Sequence, residues 1–423
     1  MHIGFVSTRL AGTDGVSLET RKWAQIYRRL GHDCFFCAGD LDPDLPGQVT
    51  PEMHFNHPSA LAIQARAFGA SEPDPALLQE IEALAAPLRQ ALARFVEAHA
   101  IDVLIVQNAL AIPMHLPLGA ALTDFIADHN FPTIAHNHDL YWERERFRVN
   151  RVQEILERCF PPALPSVRHV VINSLAQANL RARKGLESVI VPNIFDYERA
   201  APGLTGANRD LRASLGLTDE HLLILQPTRV IPRKGIELAI ELVARLQQPQ
   251  HRERLQGKQP VLVISHQAGD EGMDYLARLQ AEAAARGVDL RYAGPRFAAR
   301  PPQQPVETPP EERVYALWDA YVHADFVTYP SLVEGFGNAL LETIYFQLPA
   351  LVNRYDVYKA DIGPLGFDLV EIDGAITDEI VEQVLRAMMD PVRRRRMVEQ
   401  NYQIAREHYT LEAVEPILAG LLP

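Results

Sequence analysis

The sequence is poor in cysteine and has no long apolar run. Three cysteines among 423 residues exclude a fold that depends on disulfides. No stretch approaches the roughly 18 apolar residues that a membrane-spanning helix needs. Residues 1–6 lack the basic region and the longer apolar region of a secretory signal. These absences predict a cytoplasmic protein with no transmembrane segment.

Basic residues are outnumbered by acidic ones. The chain has 41 Lys and Arg against 54 Asp and Glu, a formal charge of -13, which argues against nucleic acid as a partner. An apolar fraction of 47% is high enough to exclude a disordered chain. At about 150 residues per domain, the length allows two or three domains with their own cores.

Short, continuously apolar runs alternate with helix-length amphipathic segments. Such runs are typical of parallel strands covered on both faces. The runs lie at 3–7, 34–38, 103–106, 133–136, 169–172 and 189–191, and again at 222–225, 261–264, 290–293, 326–329 and 350–352. The pattern restarts after a polar stretch at 201–208. We predict an α/β protein with two doubly wound, Rossmann-like domains at 1–197 and 198–395, and C-terminal helices over 396–423 that pack back towards the first domain.

The motif SLVEGFGNALLE at 331–342 follows a predicted strand. Gly335 and Gly337 let backbone N–H groups approach a ligand at the start of a helix, where anions are favoured. Glu334 and Glu342 stand eight residues apart, or roughly 12 Å along a helix, about the reach from a hexose across a diphosphate to a ribose. The alternative is a capped helix with two solvated acids.

A second motif contains two cations. Arg229 and Lys234 flank a predicted strand-to-helix turn at 226–235. Both can converge on a diphosphate, Arg with a planar fork and Lys as a point charge. Two anion-receptive turns in one domain favour a nucleotide-sugar site over two solvated turns.

These two motifs resemble those of the retaining glycosyltransferases of family four, which have the GT-B fold with two domains facing across a cleft. The acid pair and the Arg…Lys-Gly turn match that family over residues 189–355. The resemblance implies that Glu334 holds the donor sugar, Glu342 the ribose, and Arg229 and Lys234 the diphosphate of a nucleoside-diphosphate sugar. The remaining donor-binding candidates of the motif are Gly335, Phe336, Gly337 and Asn338. Thr228 and Gln347 depart from the family, which often has glycine at both positions.

The N-terminal half supplies further candidates. Gly12 and Gly15 follow the first strand in a turn that resembles the family's first loop, near donor phosphates and acceptor; the alternative is that they only shape a turn. A cluster of polar side chains follows the strand at 133–135. The family often has a histidine here beside the donor sugar, which either His136 or His138 can match. We assign His138 to the donor sugar and the acceptor to His136, Asp139, Tyr141 and Arg144.

Arginines at 144, 146, 148 and 151 suggest an anionic acceptor such as glycerate or a sugar phosphate, unless they form a solvated helix face. Asp40 and Asp42 form a DXD, which we interpret as a solvated loop, and we expect no metal and no cofactor beyond the donor.

The predicted function is retaining hexosyl transfer to a small acceptor, with the leaving diphosphate taking the acceptor's proton, as the resemblance implies. Alternatives are a nucleotide-sugar epimerase, a glycoside phosphorylase or a non-catalytic, two-lobed sugar-binding protein. The oligomeric state and the donor's base and hexose are not encoded in these motifs.

Overall fold

The computed structural model describes residues 1–12, 14–268, 273–298, 308–309 and 312–423. Each predicted apolar run forms a strand. The strands are β1 (His2–Val6), β2 (Asp33–Ala38), β3 (Gly47–Val49), β4 (Val103–Gln107), β5 (Thr133–Asn137), β6 (Val167–Val171), β7 (Ser188–Ile190), β8 (His221–Gln226), β9 (Gln259–Ile264), β10 (Leu290–Tyr292), β11 (Phe297–Ala298), β12 (Tyr315–Ala316), β13 (Phe326–Tyr329), β14 (Ala350–Asn353) and β15 (Val370–Ile372). The short strands β3, β11, β12 and β15 were not predicted.

Helices connect most of these strands. They are α1 (Gly15–Arg29), α2 (Pro58–Ala67), α3 (Pro75–Ala98), α4 (Leu116–His129), α5 (Gln153–Cys159), α6 (Ser174–Lys184), α7 (Leu211–Ser214), α8 (Ile236–Leu246), α9 (Asp274–Ala285), α10 (Asp319–Val322), α11 (Asn338–Tyr345), α12 (Asp378–Met389), α13 (Pro391–His408) and α14 (Leu411–Leu421). Among the described residues, no helix is both long and apolar enough to cross a bilayer.

Two parallel sheets confirm the predicted fold class. In the described ranges, one sheet has the order β3-β2-β1-β4-β5-β6-β7 and the other β10-β9-β8-β13-β14-β15. In each sheet, later strands are added on both sides of a central pair. The central pair is β1 and β4 in the first sheet, and β8 and β13 in the second. These pairs are the topological switch points, where ligands of doubly wound sheets bind.

The chain forms two compact units. Unit 1 contains Met1–Ile194 and Leu411–Pro423, and unit 2 contains Phe195–Thr410. The predicted boundary lies at 197, and the predicted C-terminal helices span 396–423. In the structure, α13 belongs to unit 2 and α14 to unit 1.

Burial follows the sequence patterns. The apolar face of α8 is fully buried in unit 2. In unit 1, Cys34 and Cys37 lie in different core clusters, on opposite faces of β2, and both are free thiols. They have the structural role expected of buried cysteines.

Candidate functional site

The switch point of unit 2 brings the two charged motifs together. β8 and β13 are hydrogen-bonded neighbours, so the turns that follow them leave the sheet side by side. A backbone hydrogen bond joins the turns, because Leu332 N–H donates to the Arg233 carbonyl at 2.8 Å. The two motifs therefore meet at the edge where this type of sheet binds ligands.

Glu334 is the centre of the charged cluster between these turns. Its Oε1 pairs with Lys234 and accepts a hydrogen bond from the Tyr329 hydroxyl at 2.7 Å. Its Oε2 lies 3.2 Å from Nη1 of Arg233. The side chains of Glu334 and Lys234 are 8% and 9% exposed, so their pairing is shielded from water. Arg233, which the sequence analysis passed over, is thus a second cation on Glu334.

Opposing effects set the ionisation of this buried pair. Burial raises the pKa of Glu334, but the charges of Lys234 and Arg233 outweigh it, and the net shift is downward. Burial lowers the pKa of Lys234 and the charge of Glu334 raises it; burial is the larger effect, so the net shift is downward. A carboxylate with a lowered pKa is ionised at neutral pH, so Glu334 acts as a charged hydrogen-bond acceptor.

Two more basic groups lie at the same edge. Arg229 contributes to the lowered pKa of both Lys234 and His266 through its positive charge. His266 follows β9, the other neighbour of β8, and burial is the main cause that lowers its pKa to about 4. Sequence reasoning missed His266, although a polar residue directly after a buried strand is a usable signal. The three cations follow β8, the neutral imidazole follows β9, and the Glu334 carboxylate follows β13, so three adjacent strands supply the site.

Glu342 is an oriented acceptor rather than a solvated acid. The indole N–H of Trp318 donates to Oε1 at 3.3 Å, and the Tyr321 hydroxyl donates to Oε2 at 2.8 Å. Both donors lie at α10, and the Tyr321 ring stacks on Phe346 with centroids 5.1 Å apart. The packing of α10 therefore fixes the direction of the Glu342 carboxylate.

The turn before α11 is tightly packed. Gly337 has a φ of +134° and lies so close to Tyr355 that an added Cβ would be 2.6 Å from its hydroxyl. That hydroxyl donates to the Phe336 carbonyl at 2.5 Å. The Phe336 ring is buried against Tyr409, so Phe336 offers the site its backbone only. Gly335 and Asn338 flank the same turn, as the motif predicts.

The loop after β1 in unit 1 leads into the N-terminus of α1. Gly15 is the first helical residue, and Asp14 caps the helix by accepting from the N–H groups of Val16 and Ser17 at 3.1 and 3.2 Å. Gly12 N–H donates to Asp42 at 3.3 Å. Gly12 is therefore tied to the loop after β2, and Gly15 begins α1 at the switch point of unit 1.

The DXD loop differs from the expectation of solvated acids. Arg21 pairs with Asp42 at 2.7 Å and with Asp44 at 2.8 Å. The Asp42 side chain is only 8% exposed because it also accepts from Gly12. The prediction of a solvated loop is therefore wrong for Asp42, whose carboxylate holds two segments together.

The two candidate histidines occupy different positions at β5. His138 follows the strand, and its Nε2 lies 2.9 Å from Oε1 of Gln107, at the end of β4. His136 lies within the strand, buried between the rings of Trp23 and His138 at centroid distances of 4.1 Å each. Burial lowers the pKa of His138 to about 4, and burial also lowers the pKa of His136 well below its usual range, so both are neutral.

The assigned acceptor residues divide into two groups. Asp139 and Arg144 form an ion pair at 2.7 Å in the loop that follows His138. Tyr141 instead points into the core of unit 1, where its hydroxyl lies 3.4 Å from Glu157. Asp139 and Arg144 therefore lie in the loop that follows His138, whereas the Tyr141 side chain is buried in the core.

The sequence and the structure were compared with known proteins. No family model matches the sequence. The mannosylglucosylglycerate synthase of Petrotoga mobilis is 33% identical over 385 residues, covering 88% of this chain and 86% of the relative. That of Thermotoga maritima is 31% identical over 450 residues, covering 99% of each. Anabaena HepE, solved with UDP and glucose, is 15% identical with a TM-score of 0.66, covering 99% of this chain and 98% of its own.

The two synthases match most of the chain, and the solved structure shares its fold. The GT-B fold and the resemblance to family four are confirmed. The chain therefore belongs to the mannosylglucosylglycerate synthase family and is a nucleotide-sugar-dependent glycosyltransferase.

Proposed function

We propose that the chain transfers a mannosyl group, with retention of anomeric configuration, from a nucleoside-diphosphate mannose to glucosylglycerate. The observation that carries the proposal is the buried Glu334–Lys234–Arg233 cluster at the switch point of unit 2. The names of the two relatives supply the sugar and the acceptor. The acceptor is small and anionic, as the sequence analysis predicts.

The cations stabilise the leaving group. Negative charge develops on the diphosphate as the glycosidic bond breaks, and Arg229, Arg233 and Lys234 are placed at one edge to bind it. Preorganised charges in a shielded site act most strongly in the transition state. Glu334 holds Lys234 and Arg233 in position, and its remaining lone pairs accept hydrogen bonds from sugar hydroxyls.

Glu342 binds the ribose hydroxyls of the donor, and its two donors at α10 keep the carboxylate directed at them. His138 contacts the donor sugar as a neutral hydrogen-bonding group, because a pKa of about 4 makes it a weak base. A phosphate oxygen of the leaving diphosphate then takes the acceptor's proton, and attack occurs on the face that the diphosphate leaves. No step requires a metal ion.

Purified protein should be tested with mannose linked to UDP, GDP and ADP, and with glucosylglycerate as acceptor. We expect one base to be preferred, the α-linkage of the donor to be kept in the product by NMR, and turnover to persist in EDTA. An inverted linkage would refute retention, and loss of turnover in EDTA that Mg²⁺ restores would refute metal independence. Conversion of the donor's sugar without any acceptor would indicate an epimerase. A requirement for phosphate would indicate a phosphorylase, and binding without turnover would indicate a sugar-binding protein.

Glu334→Gln tests the role of the cluster. Losing the charge should lower kcat by about 100-fold or more, the usual effect of removing an electrostatic group from a transition state. Glu382→Gln is the matched control, because Glu382 is also ion-paired but lies on the surface against Arg254. Equal activities of the two variants would contradict the assignment.

A further inference from the structure

Basic side chains in unit 1 near the switch point are mostly committed to acids. Arg144 pairs with Asp139, and Arg21 pairs with two aspartates of the loop after β2. Arg9, in the loop directly after β1, is bound differently. Within the described ranges, Asp14 at 3.1 Å from Nη2 is its acidic partner. Its Nε is buried and has no hydrogen-bond partner among the described residues. A buried donor without a partner is costly, and an acceptor oxygen from a ligand would relieve this cost.

The position of Arg9 is fixed from several sides. Gly39 N–H donates to the Thr8 carbonyl at 3.1 Å, and Leu10 N–H donates to the Asp40 carbonyl at 2.9 Å, so the backbone on each side of Arg9 is tied to the loop after β2. The guanidinium carbon lies 5.2 Å from the centre of the Phe55 ring. The side chain remains 35% exposed, so a ligand can reach it. Arg9 is therefore a held but accessible cation.

His54 supplies a second donor beside Arg9. Its ring stacks on Phe55 with centroids 4.6 Å apart, and Asn56 N–H donates to its Nδ1 at 3.0 Å. Burial, followed by the charge of Arg9, lowers the pKa of His54, so the ring is neutral and carries its proton on Nε2. Asp40 and His57 also act on this ring, in opposite directions. The group defined by Arg9, His54 and Phe55 thus offers one permanent charge, one N–H and one apolar wall.

This group belongs to the same edge as His138. Asp14, the partner of Arg9, is close enough to act on His138 through its charge. Arg9 follows β1 and His138 follows β5, with β4 between these two strands. The Arg9 group therefore lies at the same sheet edge as Asp139 and Arg144, which follow β5 and were predicted to bind the acceptor.

We propose that Arg9 and His54 bind the carboxylate of the acceptor, and that Arg9 sets the preference for an acidic acceptor. The inference rests on the proposed function, since it names the residues that recognise its anionic substrate. The planar guanidinium matches a carboxylate, and the contact of Asp14 with Nη2 leaves the exposed part of the side chain to the ligand. The Phe55 ring covers the apolar part of the acceptor next to the carboxylate.

The test compares glucosylglycerate with glucosylglycerol, in which an alcohol replaces the carboxylate. The wild type should favour the acid in kcat/KM. Arg9→Met should lower kcat/KM for the acid by about 30-fold and leave the alcohol and the donor KM within about twofold, because only the charged contact is lost. Arg66→Met is the matched control, because Arg66 is also ion-paired, to Asp74 at 2.9 Å, and is 40% exposed. It should keep the preference. Equal losses with both acceptors, no loss with either, or loss of preference in Arg66→Met would overturn the inference.

A second variant and a binding assay separate the possible failures. His54→Phe leaves the Arg9–Asp14 pair intact and should lower the preference for the acid by about fivefold, so it serves if Arg9→Met does not fold. Calorimetric titration with D-glycerate tests the site without turnover. Wild type that transfers to neither acceptor refutes the proposed function. In that case, the Arg9 site is still supported if the wild type binds glycerate and Arg9→Met binds it more weakly. The site is overturned if the wild type binds no glycerate, or if the variant binds it as tightly as the wild type.

Discussion

Replacing Gly337 by alanine should weaken unit 2 through two separate effects. An added Cβ would lie 2.6 Å from the Tyr355 hydroxyl, which donates at 2.5 Å to the Phe336 carbonyl. Moving the hydroxyl away loses that hydrogen bond, at a cost of about 1 kcal/mol. A φ of +134° adds strain of about 1–3 kcal/mol for any residue with a side chain. The expected loss is about 2–4 kcal/mol.

Hydrogen exchange measured by mass spectrometry on peptides that cover 326–345 would detect this loss. A loss of about 2–4 kcal/mol corresponds to exchange of the slowest amides that is faster by about 30- to 1000-fold. Gly366→Ala is the control for backbone strain alone, because Gly366 has a φ of +87° and open space around it. It should cost less than Gly337→Ala by about 1 kcal/mol.

The double variant Gly337→Ala/Tyr355→Phe separates the clash from the strain. Removing the hydroxyl oxygen relieves the contact, so the double variant should be more stable than the sum of the single effects by about 1 kcal/mol. Additive effects would show that the hydroxyl does not oppose the new methyl group. An unchanged exchange rate in Gly337→Ala would refute the reasoning altogether.

Three further predictions follow from other contacts. Tyr321→Phe removes a hydrogen-bond donor to Glu342 and should raise the KM for the nucleotide sugar about tenfold in steady-state assays, with kcat unchanged. The KM for a nucleotide sugar that contains 2′-deoxyribose should not change in this variant. The folded-state pKa of Glu334 is lowered, so the stability that its ionised form contributes is present above about pH 4.5 and is lost as the pH falls. In urea titrations, the difference in unfolding free energy between wild type and Glu334→Gln should therefore become smaller below that pH. A difference that stays constant would contradict the shift. Gln347→Gly should raise stability by about 0.5–1 kcal/mol in the same titrations, because Gln347 has a φ of +50°, and a lower stability would contradict this reasoning.

The sequence predicted the strands inside the sheets better than those at the edges. A strand such as β4 is buried on both faces and consists of apolar residues throughout, so it can be recognised without any partner. The edge strand β3 has three residues, two of them exposed, and its pairing with β2 is the only feature that makes it a strand. Pairing depends on the tertiary structure and has no local pattern.

The candidate site follows the same division. The charged residues of both motifs could be predicted because they follow strands in recognisable turns. The pairing of Lys234 with Glu334 could not, because it depends on β8 and β13 being neighbours across about a hundred residues of chain. Arg233 looks like an ordinary surface arginine until that neighbourhood is known. The roles of these residues in binding the donor stay predictions until the variants are measured.

Unit 2 is an insertion within unit 1, and this affects the order in which the chain can fold during synthesis. Leu411, Val414, Leu418 and Leu421 of α14 are buried in the same core cluster as Trp23 and Tyr27 of α1. A ribosome delivers these four residues after all of unit 2, so unit 1 begins to emerge first but is completed after unit 2. Unit 2 is continuous and needs no later segment to close its core. In a nascent chain, unit 2 should therefore become resistant to protease before unit 1, and deletion of 411–423 should destabilise unit 1 and leave unit 2 folded.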